Sequence, residues 1–233
     1  MVDRPSMDVF VFVGERASAD ALDRRLLIDA VAWVSGEDRR TISIEQRCGH
    51  CSGTHGRPVV VAPAGRARDL KVSLSRAGRL VAVAVTFAGP VGVDIESAEA
   101  VARSSFDDVA FGAAERASLL ELEDSAADWA RAALWTSKEA ALKATGTGLR
   151  SDLRALSVSL PRRGPHGHPT IDTWRGADVP VGAMRLTPFV PGEGLVGTVA
   201  VLAPTRPRVR FFDESAVRAD PTAVLTAPGD RSR

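Results

Sequence analysis

The sequence predicts an α+β fold made of two similar lobes that face each other. Three observations lead there. The chain has 233 residues, enough for one large domain or two small lobes. Hydrophobic residues make up 45% of it, enough to build a core. Each half carries several β-like apolar runs and one main helix pattern, without a repeat in the letters themselves.

The elements follow in order. "DVFVFV" (8–13) reads as a first strand. "SADALDRRLLIDAVAWVS" (18–35) reads as a helix, with Ser18 as its cap and Leu22, Leu26, Ala30 and Val34 recurring at one-turn spacing on a buried face. "TISIE" is a short strand, and a Cys/His/Gly loop follows. "RPVVVA" and "LKVSLS" read as extended, and "RLVAVAVTFAG" and "PVGVDIE" as two β-rich runs joined by a Gly-Pro turn. The second half opens with helices at "FGAAERASLLEL" (111–122) and "SAADWARAALWTSKEAALKATG" (125–146), the latter ended by Gly146. Strands follow at "LRALSVSL", "VGAMRLTPF" and "GLVGTVAVLA", with a Pro/Gly/His/Arg loop at 161–169. This organisation predicts a first lobe over 1–100, a second over 101–205, and a flexible tail over 206–233, where periodicity is lost and Pro, Arg and Asp accumulate.

Bulk properties exclude several functions. The formal net charge is +1, so any anion site must be local. There is no tyrosine and no basic stripe with aromatic platforms, which argues against nucleic-acid binding. The opening "MVDRPSMDVFVFVGER" has an apolar run too short for a membrane span and no secretion-signal layout, so a cytoplasmic protein is expected. Cys48 and Cys51, near His50 and His55, invite a zinc reading. Four ligands within eight residues is the wrong spacing for a finger, and a reduced, loop-anchoring pair is the expectation.

The chemistry-bearing residues are acids and lysines. "VGVDIES" sets Asp94 and Glu96 two apart, on one face of a strand, with Ile95 on the other. Two adjacent acids on an apolar strand call for a cation. On the long helix, Trp135, Glu139 and Lys143 form one stripe at i, i+4 and i+8. A third carboxylate could then meet the first two across a cleft. Three hard oxygen donors without a histidine cluster suit magnesium, which shares its shell with waters and phosphate oxygens. Lysine is nearly absent: of 30 basic residues only Lys71, Lys138 and Lys143 are lysines. Against an arginine-heavy background, a compact ammonium suits a phosphate oxygen. For Lys138 the sequence offers a contact with phosphate or partner, or a surface charge. Further donors stand at Arg57 in "HGRPVV", at Ser73, Ser75 and Arg76 in "VSLSRAGRL", and at Arg24 and Arg25.

"GVDIE", followed by "LWTSKEAALKATGTGL", with "HGRPVV", "KVSLSRAGRL" and "FGAAERASLLEL" in the right order, resembles the 4'-phosphopantetheinyl transferases of the surfactin-synthetase-activating type over about residues 22–160. The resemblance implies a pseudo-twofold pair of α+β lobes, acting as a monomer, with coenzyme A and Mg2+ in the cleft. It implies Asp94, Glu96 and Glu139 as metal ligands and Lys143 as the catalytic lysine. Arg57, Ser75 and Arg76 would contact the nucleotide end of coenzyme A. Arg76 stands where the family commonly has histidine, and Trp33 where relatives often carry an arginine.

The implied reaction is transfer of 4'-phosphopantetheine from coenzyme A to a serine of an apo acyl or peptidyl carrier protein, as in polyketide, nonribosomal-peptide or fatty-acid synthesis, releasing adenosine 3',5'-bisphosphate. Glu139, or a metal-held water, would take the serine proton, and Lys143 would neutralise phosphate charge. The alternatives are a module that binds coenzyme A or a carrier without transferring, and a Mg-dependent phosphohydrolase.

Overall fold

A computed structural model of the chain describes residues 7–16, 20–47, 53, 56–148, 152–161 and 167–218. The α+β expectation holds. The first half contributes β1 (Val9–Glu15), α1 (Asp20–Ser35), β2 (Ser43–Gln46), β3 (Pro58–Ala62), α2 (Arg66–Asp69), β4 (Lys71–Ala77) and β5 (Leu80–Thr86). The rest contributes β6 (Val91–Ser97), α3 (Ala98–Ala102), α4 (Asp107–Ala110), α5 (Ala113–Leu120), α6 (Asp124–Thr145), β7 (Leu156–Ser159), β8 (Thr170–Trp174), β9 (Met184–Phe189), β10 (Leu195–Leu202), β11 (Val209–Asp213) and α7 (Ser215–Arg218).

Two sheets carry the architecture. One has the order β11-β1-β5-β4, the other β6-β10-β9, and β2-β3 and β7-β8 form separate ribbons. Strand periodicity sorts the side chains into layers. Phe10, Phe12, Val81, Val83 and Val85 turn towards Leu27 and Val31 of α1. Their alternates Val9, Val11, Ala82 and Ala84 turn the other way, onto Val91, Val93, Ile95, Val199 and Val201 of the second sheet. The far face of that sheet is covered by α6, through Ala140, Ala141 and Ala144 with Ala200 and Leu186. The order is therefore helix, sheet, sheet, helix.

The edges of the two sheets meet where β4 runs beside β6. No backbone ladder joins them. Instead the Ser73 hydroxyl accepts from Val93 N (3.0 Å) and the Ser75 hydroxyl from Ile95 N (3.4 Å), so two side chains satisfy amides that a neighbouring strand would otherwise take.

Two features depart from the sequence reading. β6 closes the 1–100 segment, yet it pairs with β10, Asp94 opposite Thr198, and so belongs to the sheet of the second half. The tail expected from 206 onward is not loose over its first part. β11 runs parallel to β1, Val9 opposite Val209, and Phe212 stacks on Phe12 at 5.3 Å. Trp33 packs edge-on against Phe10 and Phe12 and lies tilted beside Phe212, so it is a half-buried cover of the first core and no substitute for an anion-binding arginine. Residues 219–233, Ser18, and the Cys48, His50, Cys51 and His55 group lie outside the described residues. Among the described residues, no helix is long and apolar enough to cross a membrane.

One glycine sets the distance between β6 and α6. A Cβ on Gly92 would lie 1.9 Å from the Ala140 carbonyl oxygen and 2.6 Å from Ala144 N. Both are backbone atoms, which cannot rotate away, so the helix lies on the strand only because position 92 has no side chain. Gly92→Ala is expected to destabilise the fold by about 3 kcal/mol through overpacking. Urea unfolding measures it, and a midpoint equal to that of the parent would show that the helix stands further off than described.

Candidate active site

The alternation that sends Val91, Val93 and Ile95 into the seam between the sheets sends Gly92, Asp94 and Glu96 towards α6. From the other side α6 offers Glu139 and Lys143, one turn apart, with Trp135 a turn earlier. The helix stays regular to its end, where Gly146 takes a left-handed φ of 76° and donates to the Leu142 and Lys143 carbonyls. Thr136 on α6 hydrogen-bonds Thr198 on β10 at 3.0 Å and fixes the helix over the sheet.

Asp94 is the centre of the group. It is only 2% exposed. Its Oδ1 accepts from Lys143 Nζ at 2.6 Å and from the Ser75 hydroxyl at 2.8 Å. Lys143 Nζ also donates to Ser75 Oγ at 3.1 Å. Burial and the Asp94 charge push Glu96 up from 4.5 to about 7, against a hydrogen bond from Trp135 and the attraction of Lys143. Burial and the Asp94 charge likewise push Glu139 up to about 7, with Lys143 opposing and Glu96 adding. Both glutamates therefore feel the Asp94 charge, with Lys143 as the common counter-charge.

Two oxygens in the group are buried without a partner, Asp94 Oδ2 and Glu139 Oε1. A buried acceptor left bare is costly, and such atoms ask for a cation or a donor from outside the chain. Hard carboxylate oxygens with no histidine or cysteine fit magnesium. Among the described residues, no three carboxylate, histidine or cysteine side chains stand close enough together to hold a metal ion between them. Lys143 and Ser75 together hold Asp94 Oδ1.

The other predicted residues are placed as follows. Ser75 belongs to the Asp94 group. Arg57 reaches the C-terminal end of α6, its Cδ 3.8 Å from where a side chain on Gly146 would begin, and burial lowers its pKa. Arg76 points to the opposite face of β4 and binds the fully buried Asp23 carboxylate of α1 at 2.6 Å. Asp23, which belongs to none of the motifs named above, anchors Arg76. A charged residue within an apolar helix stripe was the available signal.

Lys138 corrects the sequence reading outright. It is fully buried and donates to Ala110 O (2.7 Å), Glu115 Oε2 (2.7 Å) and Leu153 O (3.0 Å). Glu115 in turn accepts from Gly112 N and Val158 N. The pair ties α4, α5, α6, β7 and the turn before β7 to one point, with all three ammonium hydrogens used. It is neither a surface charge nor a ligand contact.

Shape and chemistry do not coincide. An open groove of about 660 Å³, lined by Leu80, Phe189, Val190 and Phe211 among others, lies away from the acids. Glu15, Asp213 and Glu214 also line it, but none of its lining side chains has a buried, unpartnered polar atom, and the Asp94 group is the stronger candidate.

Comparison with known proteins bears on the same segment. A family model described as the 4'-phosphopantetheinyl transferase superfamily matches residues 90–180, which contain Asp94, Glu96, Glu139 and Lys143. No curated protein matches the chain. Among solved structures, a holo-(acyl-carrier-protein) synthase from Bacillus anthracis str. Ames, in complex with CoA (3',5'-ADP), is similar at 20% identity, over 49% of this chain and 96% of its own, with a TM-score of 0.38.

Two outcomes follow. Lys138→Met leaves Glu115 buried and unpaired and is expected to cost about 3–5 kcal/mol, whereas adding Glu115→Leu should recover most of that loss; equal unfolding midpoints for the single and double variants would deny the coupling. The raised Glu96 and Glu139 values give a sign for pH. The folded protein keeps protons that the unfolded chain releases above about 4.5, so their contribution is full below that pH and is lost as pH rises through about 7. In chelator, Tm should fall between about pH 5 and 7.5. The fall should be shallower in Glu96→Gln and in Glu139→Gln, and three parallel curves would remove the shared burial.

Proposed function

We propose that the chain is a 4'-phosphopantetheinyl transferase of the two-lobed, surfactin-synthetase-activating type, with a pseudo-twofold relation between its halves. The observation that carries this reading is the Lys143–Asp94 pair, with Glu96 and Glu139 near enough to feel both charges, within the segment that the family model matches. In it, coenzyme A and an apo carrier protein are the substrates and adenosine 3',5'-bisphosphate is the leaving product. The Oγ of a carrier serine attacks the pantetheine-side phosphorus of coenzyme A. The new P–O bond forms as the bond to the nucleotide phosphate breaks, and the serine proton passes to a base.

Asp94, Glu96 and Glu139 would hold Mg2+, and the two bare oxygens on Asp94 and Glu139 support that assignment. The ion, when bound, supplies charge withdrawal from the pyrophosphate. Glu139 is the candidate proton acceptor by position, one turn from Lys143 on α6 and beside Asp94. Lys143 Nζ spends two hydrogens on Asp94 and Ser75, and its third is available to a phosphate oxygen. Its side chain is 31% exposed, so solvent and substrate can reach it. Arg57 and Arg76 would meet the nucleotide end, Arg76 with its charge partly committed to Asp23.

Incubation with coenzyme A, Mg2+ and an apo carrier domain should add one phosphopantetheinyl mass to the carrier. Asp94→Asn or Glu139→Gln should lower the rate about 100-fold or more while the protein stays folded. No mass gain over a panel of polyketide, peptide and fatty-acid carriers would end the proposal. Phosphate release from coenzyme A without a carrier would identify a hydrolase instead.

A further inference from the structure

Ser73 and Ser75 occupy equivalent positions along the seam. Both point from β4 towards β6, both are nearly buried, and each hydroxyl accepts from a β6 amide. Only Ser75 does more. It donates to Asp94 Oδ1 at 2.8 Å and accepts from Lys143 Nζ at 3.1 Å. One hydroxyl has one hydrogen and two lone pairs, so these three contacts use its whole capacity. Nothing on Ser75 is left for a ligand.

The consequence falls on Asp94. Lys143 and Ser75 both bind the same oxygen, Oδ1, and Lys143 does so at 2.6 Å. The other oxygen, Oδ2, is buried and has no partner. A carboxylate free to rotate would present either oxygen. This one is held from two sides, by a strand and by a helix, and only Oδ2 is on offer.

We propose that Ser75 is a positioning residue, whose hydroxyl joins Lys143 in pinning Oδ1 of Asp94 so that Oδ2 alone is presented to a divalent cation. With its hydroxyl fully used, it touches neither the cation nor coenzyme A, and this role replaces the nucleotide contact that the resemblance implied for it. The idea deepens the proposed function, and it concerns cation binding, which is measurable whether or not transfer is observed.

The test titrates the full chain with Mn2+ by calorimetry, without coenzyme A, for the parent, S75A, S75T and S73A. S73A removes a seam contact of the same kind and leaves Asp94 untouched, so it reports what a merely structural loss would do. S75A should bind Mn2+ about tenfold more weakly or worse, while S73A stays near the parent. S75T keeps a hydroxyl and should recover most of the affinity. Where threonine itself lowers Tm, the contrast of S75A with S73A decides. In steady-state transfer, S75A should lower kcat and leave KM for coenzyme A within about twofold. The proposal is overturned if the parent takes up no Mn2+, if S75A binds it as the parent does, if S73A weakens it equally, or if S75A raises KM with kcat unchanged. Absence of transfer with the Mn2+ ranking intact would count against the transferase reading and for the role of Ser75.

Discussion

The close approach of α6 to β6 at Gly92 is the constraint on which the site depends. The helix backbone lies where a methyl group would be, so the side chains that flank the contact have little freedom in depth. Asp94 follows Gly92 by one step of the pleat, and Glu139 and Lys143 flank Ala140 on the helix. The acids are therefore brought together by main-chain packing rather than by attraction among themselves, which would be repulsive. Desolvation and mutual repulsion are imposed by the fold, and Lys143 offsets part of both.

The two lysines of α6 show how one residue type serves opposite ends. Lys138 is satisfied on every hydrogen by two carbonyls and a carboxylate, all of them protein. Such a buried pair contributes little net stability compared with apolar packing, but it is exacting about geometry. It fixes the roll of the helix, and neighbouring Glu139 is turned by about 100° from it, towards the sheet. Lys143, one turn further on, remains partly exposed, and its carboxylate partner still has a bare oxygen. A closed pair and an open one on the same helix separate holding from binding.

Much of this was legible in the letters. The strand of Asp94 and Glu96, the stripe of Glu139 and Lys143, and the Gly146 helix end follow from periods of two and 3.6 and from glycine's freedom, which are local rules. The partners were not local. That β6 joins β10, that β11 closes the first sheet beside β1, and that Asp23 takes Arg76 each depend on residues far apart in the chain. β11 is short and arginine-containing, "VRFFD", and its surroundings rich in proline hid it. A lysine on a long helix is ordinarily solvated, and only Glu115 and two carbonyls at its tip, all distant in the sequence, take Lys138 into the interior. Ser75 was legible as a motif position, while its engagement with Asp94 became visible only once the two sheet edges were placed side by side.

The parallel pairing of β1 with β11 bears on how the molecule comes into being. Val9 leaves the ribosome 200 residues before its neighbour Val209, which follows only after nearly all of the described fold has been made. At typical elongation of roughly 5–20 residues per second, β1 waits about 10–40 s for that neighbour, with one hydrogen-bonding edge bare. Phe10 and Phe12 lack the Phe212 ring for the same interval. The nascent first half thus carries an open, aromatic-rich strand edge, a natural place for a chaperone to bind or for two growing chains to entangle.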